Sequence, residues 1–438
     1  MKKLLLFLLC AVLCLALCSC SGNGSSAPAA PKADAATPTP APTATPEPAF
    51  EPLDWAAVTE APAANFTYEL SWDEESYRIT AYNGTDAIVK VPAAIEGKPV
   101  TDLGEDLFRS NETITHVYLP DTVRYMGDSC FNNCPNLVQL HLPANLSEIA
   151  QATCKECRKL VQVDLPTALT SIRQSAFSEC ISLKEIELPA TTTYMEKDVF
   201  DGCRSLTSFK APGLKQMGQC ALRDCVSLTE LVLYEGMGLF NGNALNGCTS
   251  LTDLTLMPLT EESSYRVVFE NGILYDVYGT EEPEYTALRM LPGYPADAVQ
   301  LHPNTTKLEH SVFYGCQLRS IEIPAAVDTI PGNAFVQCKN LESITFAPGS
   351  QLRLLEMNCF SGCTALTAID LSFVTEQLTM YSGAFGSNDA LTSVKLPANV
   401  NATDPADYMF RSAKNVVISY QGKDYTYDQL SELKLVQE

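Results

Sequence analysis

The sequence predicts a repeat solenoid of short parallel strands and short helical turns with a 22–25-residue period, and three observations carry that reading. A unit L-x-x-[LIV]-x-[LIV]-P, followed by an apolar x-x-[IM] step and A/C-F-x-x-C, begins at Ile114, Leu137, Leu160, Leu183, Leu206, Leu228 and Leu251, and resumes at Leu318, Leu341, Leu366 and Leu391. Inside each unit the apolar residues alternate: in LVQVDLPTALTSIRQSAFSEC (160–180), Leu160, Val163 and Leu165 give a strand with one buried face, and Pro166 ends it where no ladder N–H is needed. Leu169 and Ile172 fill the next side of the coil, and the Phe177 turn plugs the core. A cysteine then closes each unit at a fixed phase. A leucine-led period of 20–29 residues is the signature of leucine-rich repeats, whose rungs bury their apolar faces only against neighbours.

The other segments follow in chain order. Residues 1–20 have a Lys2–Lys3 n-region and a 14-residue apolar run from Leu4 to Leu17, shorter than a membrane span, and read as an export signal. The end, Leu17-Cys18-Ser19 before Cys20, resembles a bacterial lipobox, which makes Cys20 the expected acylated residue of a lipoprotein signal peptide; the alternative is lipid-free cleavage near Ser21–Gly22. Residues 21–65 hold nine of the 27 prolines and few aliphatic residues larger than Ala, so a disordered Pro/Ala/Thr-rich stalk is expected. An N-terminal cap with a divergent first rung occupies 66–113, and repeats run over 114–258. A hairpin excursion is expected at 259–296, further repeats at 297–412, and a C-terminal cap of strand, hairpin and short helix at 413–438.

The strand L-x-x-I-x-L-P and the turn AF-x-x-C together resemble the BspA-like leucine-rich repeats of bacterial surface proteins, over about residues 75–412. The opening stretch 79–108, with Ile95–Thr101 (IEGKPVT), resembles that family's divergent first rung. The G-x-L-Y-D and L-x-x-x-P-G strings within 267–295 resemble its inserted hairpin. The resemblance implies a cell-surface protein engaged in adhesion, host-protein binding or cell–cell contact.

Composition narrows the chemistry. With 52 Asp+Glu against 29 Lys+Arg the formal charge is −23, and removing Lys2 and Lys3 with the leader makes it −25, a poor match to phosphate backbones. Nucleic acid is not an expected partner, and membrane contact is expected through the lipid anchor alone. Nine of the thirteen cysteines after residue 20 occupy the closing position: Cys134, Cys157, Cys180, Cys203, Cys225, Cys248, Cys316, Cys338 and Cys363. One per rung makes a column about 4.8 Å apart, and Cys is small and readily buried, so a reduced structural ladder is expected. Close pairs such as Cys154/Cys157 invite a zinc reading, but Cys154 falls at the Phe position and Cys130 and Cys359 at the Ala position, which are core slots. The four histidines and the absence of H-E-x-x-H, G-x-S-x-G, P-loop or EF-hand strings argue against an enzyme, and no cofactor or metal is expected.

Function is then expected on the outward strand positions. They form one column of His116, Gln139, Gln162, Glu185, Ser208, Glu230 and Asp253, and beside it Tyr118, His141, Asp164, Glu187, Lys210, Val232 and Thr255. Exposed aromatics among mixed polar groups on a rigid sheet suit a protein partner. The expected role is non-catalytic protein binding by an exported protein, lipid-anchored on the outer face of a bacterial membrane at the cell surface. Glycan or envelope-protein recognition is the alternative, a hydrolase with a dispersed site comes last, and the sequence sets no oligomeric state.

Overall fold

A single apolar residue between two outward-facing ones is enough to anchor a rung. In the computed structural model, which describes residues 51–259, 265–295 and 297–435, Ile88–Lys90, His116–Tyr118, Gln139–His141 and Gln162–Asp164 stack as parallel strands with Val89, Val117, Leu140 and Val163 in one column. Glu185–Glu187, Ser208–Lys210, Glu230–Tyr234 and Thr255–Met257 form the next parallel set. Beyond residue 297, Ala298–Gln300, Ser320–Ile323 and Ser343–Phe346 form a third, and Ala368–Asp370, Ser393–Lys395 and Val417–Tyr420 a fourth. These strands make the front of a leucine-rich-repeat solenoid. The leader, Cys20 and residues 21–50 lie outside the described residues.

A second side of the coil carries a ladder of shorter parallel strands, Glu148–Ile149, Ser171–Ile172, Tyr194–Met195, Gln216–Met217 and Leu239–Phe240. The A-F-x-x-C turns form the third side and hydrogen-bond rung to rung, as in Phe177 N–H to Val199 O at 2.9 Å and Phe200 N–H to Ala221 O at 2.8 Å. Stacked rings run beneath them, Phe177–Phe200 at 5.2 Å and, in the second array, Phe313, Phe335, Phe360, Phe385 and Phe410 at 4.8–5.7 Å between successive centroids. Most turns are bracketed by two left-handed residues, for example Ser175 (φ 57°) and Glu179 (φ 59°). That conformation disfavours most side chains, and several rungs use residues that tolerate it, such as Asn133, Gly202 and Asp224.

Two predicted segments differ from expectation. Residues 51–65, assigned to the stalk, lie against the front strands. Trp55–Ala57 and Ala63–Asn65 are 3-10 turns, Lys90 Nζ donates to Trp55 O (3.0 Å) and Val58 O (3.1 Å), and Ala61 N–H donates to Lys90 O (2.8 Å). Pro-rich chain cannot build a core of its own, but a core built by other residues gives it a surface to dock on. The excursion, in turn, is three antiparallel strands, Tyr265–Glu270, Ile273–Tyr278 and Glu284–Met290, the last pairing in parallel with Thr305–Leu308. Both of its faces are apolar: Val267, Leu274 and Leu288 pack into the core of the first array, and Ile273, Tyr275 and Ala287 into that of the second. It therefore partitions two cores. At the far end the Val417–Tyr420/Lys423–Thr426 hairpin and the 3-10 turn Tyr427–Glu432, with a Thr426/Gln429 capping box, cover the last rung through Leu430, Leu433 and Leu435.

Candidate protein-binding face

The front strands present their outward side chains in register, so chemistry accumulates along columns. Tyr118 stacks on His141 of the next rung at 4.3 Å and 3°, and His141 Nδ1 lies 3.1 Å from Asp164 Oδ2 one rung further on. Gln162 Nε2 donates to Asp164 Oδ1 at 2.7 Å, and the His141 contact, helped by Gln162, holds the Asp164 carboxyl below its ordinary range. His116, half-buried beside Thr115, has its pKa lowered by burial. In the next set Glu185 and Glu187 are exposed, Lys210 Nζ reaches Glu230 Oε1 at 3.0 Å, and Ser208 Oγ donates to Glu230 Oε2 at 2.5 Å. Those two bonds, that from Ser208 first, hold Glu230 low, and Glu230 in turn raises Lys210.

Three expectations about this face are corrected. Gln139 is only 1% exposed: its side chain turns to residues 51–65 and accepts the Leu53 N–H at 2.9 Å, so it does not present a binding group. Tyr118 is partly covered by the same segment, with the Trp55 ring 5.4 Å away and Lys90 Nζ 5.4 Å from the ring centre. Asp253 stands ahead of its strand, which begins at Thr255, and accepts the Leu254 N–H. Sequence reasoning missed Leu53, Trp55 and Lys90; the one signal was a tryptophan inside a Pro/Ala-rich stretch.

The ladder is not continuous across this face. The Gln162–Asp164 strand pairs only with the preceding rung and Glu185–Glu187 only with the following one. The short strands Ser171–Ile172 and Tyr194–Met195 on the second side remain paired, so the opening is a wedge at the front. Val163 and Leu165, expected to be buried, are partly exposed at its lip, whereas their counterparts Leu140 and Leu142 are buried.

The nine repeat-position cysteines are buried with free thiols. Eight point their Sγ at the backbone carbonyl of a residue in the preceding turn: Cys134 to Phe108 (2.9 Å), Cys157 to Phe131 (2.9 Å), Cys180 to Cys154 (3.2 Å), Cys203 to Phe177 (3.2 Å), Cys225 to Phe200 (3.3 Å), Cys248 to Leu222 (3.1 Å), Cys338 to Phe313 (2.9 Å) and Cys363 to Phe335 (3.1 Å), while Cys316 points to Met290 O at the end of the last partition strand (3.6 Å). Burial pushes the thiols of Cys248 and Cys316 up, to about 12 and about 11. Both are held lower by Arg289, a fully buried guanidinium in the partition that donates to Ser311 O and Tyr314 O. Among the described residues no group of three or more His, Cys, Asp or Glu side chains could hold a metal ion, and no helix is long and apolar enough to cross a membrane.

Stacked parallel rungs, a Phe column and a per-rung cysteine define a bacterial-type leucine-rich-repeat solenoid. The chain belongs to the family described as BspA type leucine rich repeat region, whose profile matches in six copies over residues 93–207, 170–281 and 296–419. The structure is similar to that of a leucine rich cell surface protein from Faecalibacterium prausnitzii A2-165, at 22% identity and TM-score 0.67 over 86% of this chain and 99% of that one. It is also similar to the pneumococcal vaccine antigen PcpA, at 15% identity and TM-score 0.53 over 83% and 93% of the two chains, and to a leucine-rich repeat protein from Bacteroides ovatus, at 17% and 0.51 over 81% and 98%. At these identities the likeness carries the fold. No curated protein matches the chain.

Proposed function

We propose that this chain is a non-catalytic binding protein of the bacterial cell surface, engaging a protein partner in adhesion, host contact or cell–cell contact through its front strands. The observation that carries the reading is the open run from Gln162 to Lys210, where outward groups line up along the edges of two successive strand sets while residues 51–65 cover the strands before it. Membership of the BspA type family supports the same role and a surface location. Acylation at Cys20 would hold the protein on the outer face of the membrane, leaving the solenoid free to meet its partner.

The test is saturable binding of the purified full chain to immobilised matrix proteins and to host or neighbouring cells; no saturable binding to any of them removes the adhesive role. A Cys20→Ala variant tests the anchor: the protein should move from the membrane fraction to the soluble fraction, and retention in the membrane would mean another attachment.

A further inference from the structure

The front-face wedge falls where the rungs would set like charges against each other, and it has a chemical consequence. In a parallel ladder, residues directly opposite interact, and like charges there are destabilising. Within each set the neighbours are compatible: Tyr118, His141 and Asp164 stack and hydrogen-bond, and Lys210 bonds Glu230. Across the missing pairing, the continued register would put Gln162 opposite Glu185 and Asp164 opposite Glu187, a carboxylate against a carboxylate. The strands part there. A second interruption, between Ser343–Phe346 and Ala368–Asp370, uncovers no comparable core: Ile344 and Ile369 stay buried, and Phe346 packs on Phe373 at 5.0 Å.

Parting the strands leaves backbone groups at both lips. Leu142 N–H donates across its rung to Asp164 O at 3.0 Å and Thr207 N–H to Lys184 O at 2.8 Å, but among the described residues the equivalent amides of Leu165 and Lys184 make no inter-rung bond. Along them runs a groove of about 600 Å³ whose lining includes the apolar Val163, Leu165 and Ile186 and the exposed Glu185 and Glu187, and which continues to Pro189 and Pro212. A concavity of similar volume, about 610 Å³, lies on the paired strands around Val299 and Ile321, so what sets this one apart is the pair of open strand edges and the acidic lining, not its size. Two facing strand edges, an apolar floor and an acidic rim describe the complement of one kind of occupant.

We propose that this groove captures an extended segment of a partner protein in which Lys or Arg alternates with small apolar residues, by strand addition between the rungs of Leu160 and Leu183. A strand directs alternate side chains to opposite faces, so the basic residues meet Asp164, Glu185 and Glu187 while the apolar ones cover Val163 and Ile186. The inserted backbone pairs with both lips and completes the front ladder. This deepens the protein-binding reading, on which it rests, by naming where the partner docks and what it carries.

The test uses the full chain and an acetylated, amidated heptapeptide alternating Lys with Val. Controls are a version with Glu for Lys, a version N-methylated at alternate amides, and one of the same composition without the alternation. The alternating Lys peptide should bind saturably and slow hydrogen exchange at the Leu165 and Lys184 amides, and each control should bind about tenfold more weakly or worse, the loss of roughly one good contact. Glu187→Gln supplies a second arm: a neutral amide that can donate to Asp164, and that sets no like charge against Lys210 on its other side, should close the ladder, protecting the Leu165 amide without peptide and weakening the peptide at least tenfold. Equal binding of the N-methylated peptide would reduce the effect to charge adsorption and overturn the proposal, as would wild-type affinity in Glu187→Gln. No peptide binding alongside saturable cell binding removes the groove and leaves the adhesive role; peptide binding without cell binding does the reverse.

Discussion

The Tyr265 hydroxyl has one proton and, among the described residues, faces two acceptors. Its oxygen lies 2.7 Å from Met237 O in the first array and 2.5 Å from Asp276 Oδ1 on the neighbouring strand. Both contacts are hydrogen bonds only when Asp276 is protonated, so that the carboxyl donates to the phenol oxygen and the phenol donates to Met237 O. Burial favours that state, raising the Asp276 pKa to about 6; the Tyr265 hydrogen bond opposes the rise and Glu309 adds to it. A folded pKa of about 6 lies above an unfolded Asp value of about 3.9, so this carboxyl contributes stability that is complete below pH 4 and lost as pH rises through 6. A two-unit shift corresponds to about 2.8 kcal/mol, and partial exposure reduces that to about 1–2 kcal/mol. Asp276→Asn keeps a neutral donor there and removes the titration. The assay is the urea midpoint of the full chain from pH 4 to 7.5, with hydrogen-exchange protection of residues 265–290 measured alongside. The wild type should lose about 1–2 kcal/mol relative to Asp276→Asn across that window, with the loss centred on the partition. A parallel pH profile in the two proteins, or a wild type that gains on the variant as pH rises, would refute the shared-proton arrangement.

The remaining predictions concern the core. Phe335 sits between Phe313 at 4.8 Å and Phe360 at 5.4 Å, so Phe335→Ala should cost about 3–5 kcal/mol by denaturant titration. Cys180→Ala should cost about 1–2 kcal/mol, and Cys180→Val should do no better, because it adds a methyl to a closed slot and still leaves Cys154 O without its thiol donor; a neutral valine would mean that volume alone sets the residue. With Cys316 at about 11, its thiolate fraction at pH 8 is roughly one in a thousand, so iodoacetamide should leave the described cysteines unmodified in the native protein and label all of them in denaturant; sites still blocked in denaturant would reveal disulfides.

Much of the solenoid is legible because its period writes the same decision many times. Leu160, Phe177 and Cys180 recur at one phase, and each is buried where the pattern put it. What escaped the sequence depends on contacts between segments that share no pattern. Leu53 reaches Gln139 across 86 residues, and Lys90 reaches Trp55 across 35, so neither bond leaves a local signal, and Gln139 reads as an outward strand residue until its partner is known. The partition was read as a hairpin excursion between rungs because alternation tells which residues share a face but not that both faces meet a core. The wedge is a different case. Asp164 and Glu187 stand 23 residues apart in the same column, so their opposition was visible in the alignment of rungs; its consequence for the ladder needed the observed register.

The cysteine column bears on whether such a chain suits the surface location proposed for it. Apart from Met290 O, the carbonyls that accept these thiols already accept their own turn's amide, as Phe131 O accepts Cys134 N–H at 3.2 Å, and the next rung's thiol fills the second lone pair, as Cys157 does at 2.9 Å. Joining two neighbouring thiols would withdraw both donors. It would also draw together side chains that stack in parallel about 4.8 Å apart, when a disulfide needs Cβ atoms near 3.8 Å and side chains turned toward each other. The turns cannot make that move while Cys154 N–H holds Ala176 O at 2.7 Å and Phe177 N–H holds Val199 O at 2.9 Å. Oxidation of the column therefore requires several inter-rung bonds to break first, and buried thiols with raised pKa values react slowly with oxidants. A chain with this many free thiols can thus occupy an exposed location because stacking, more than the redox conditions outside, keeps them apart.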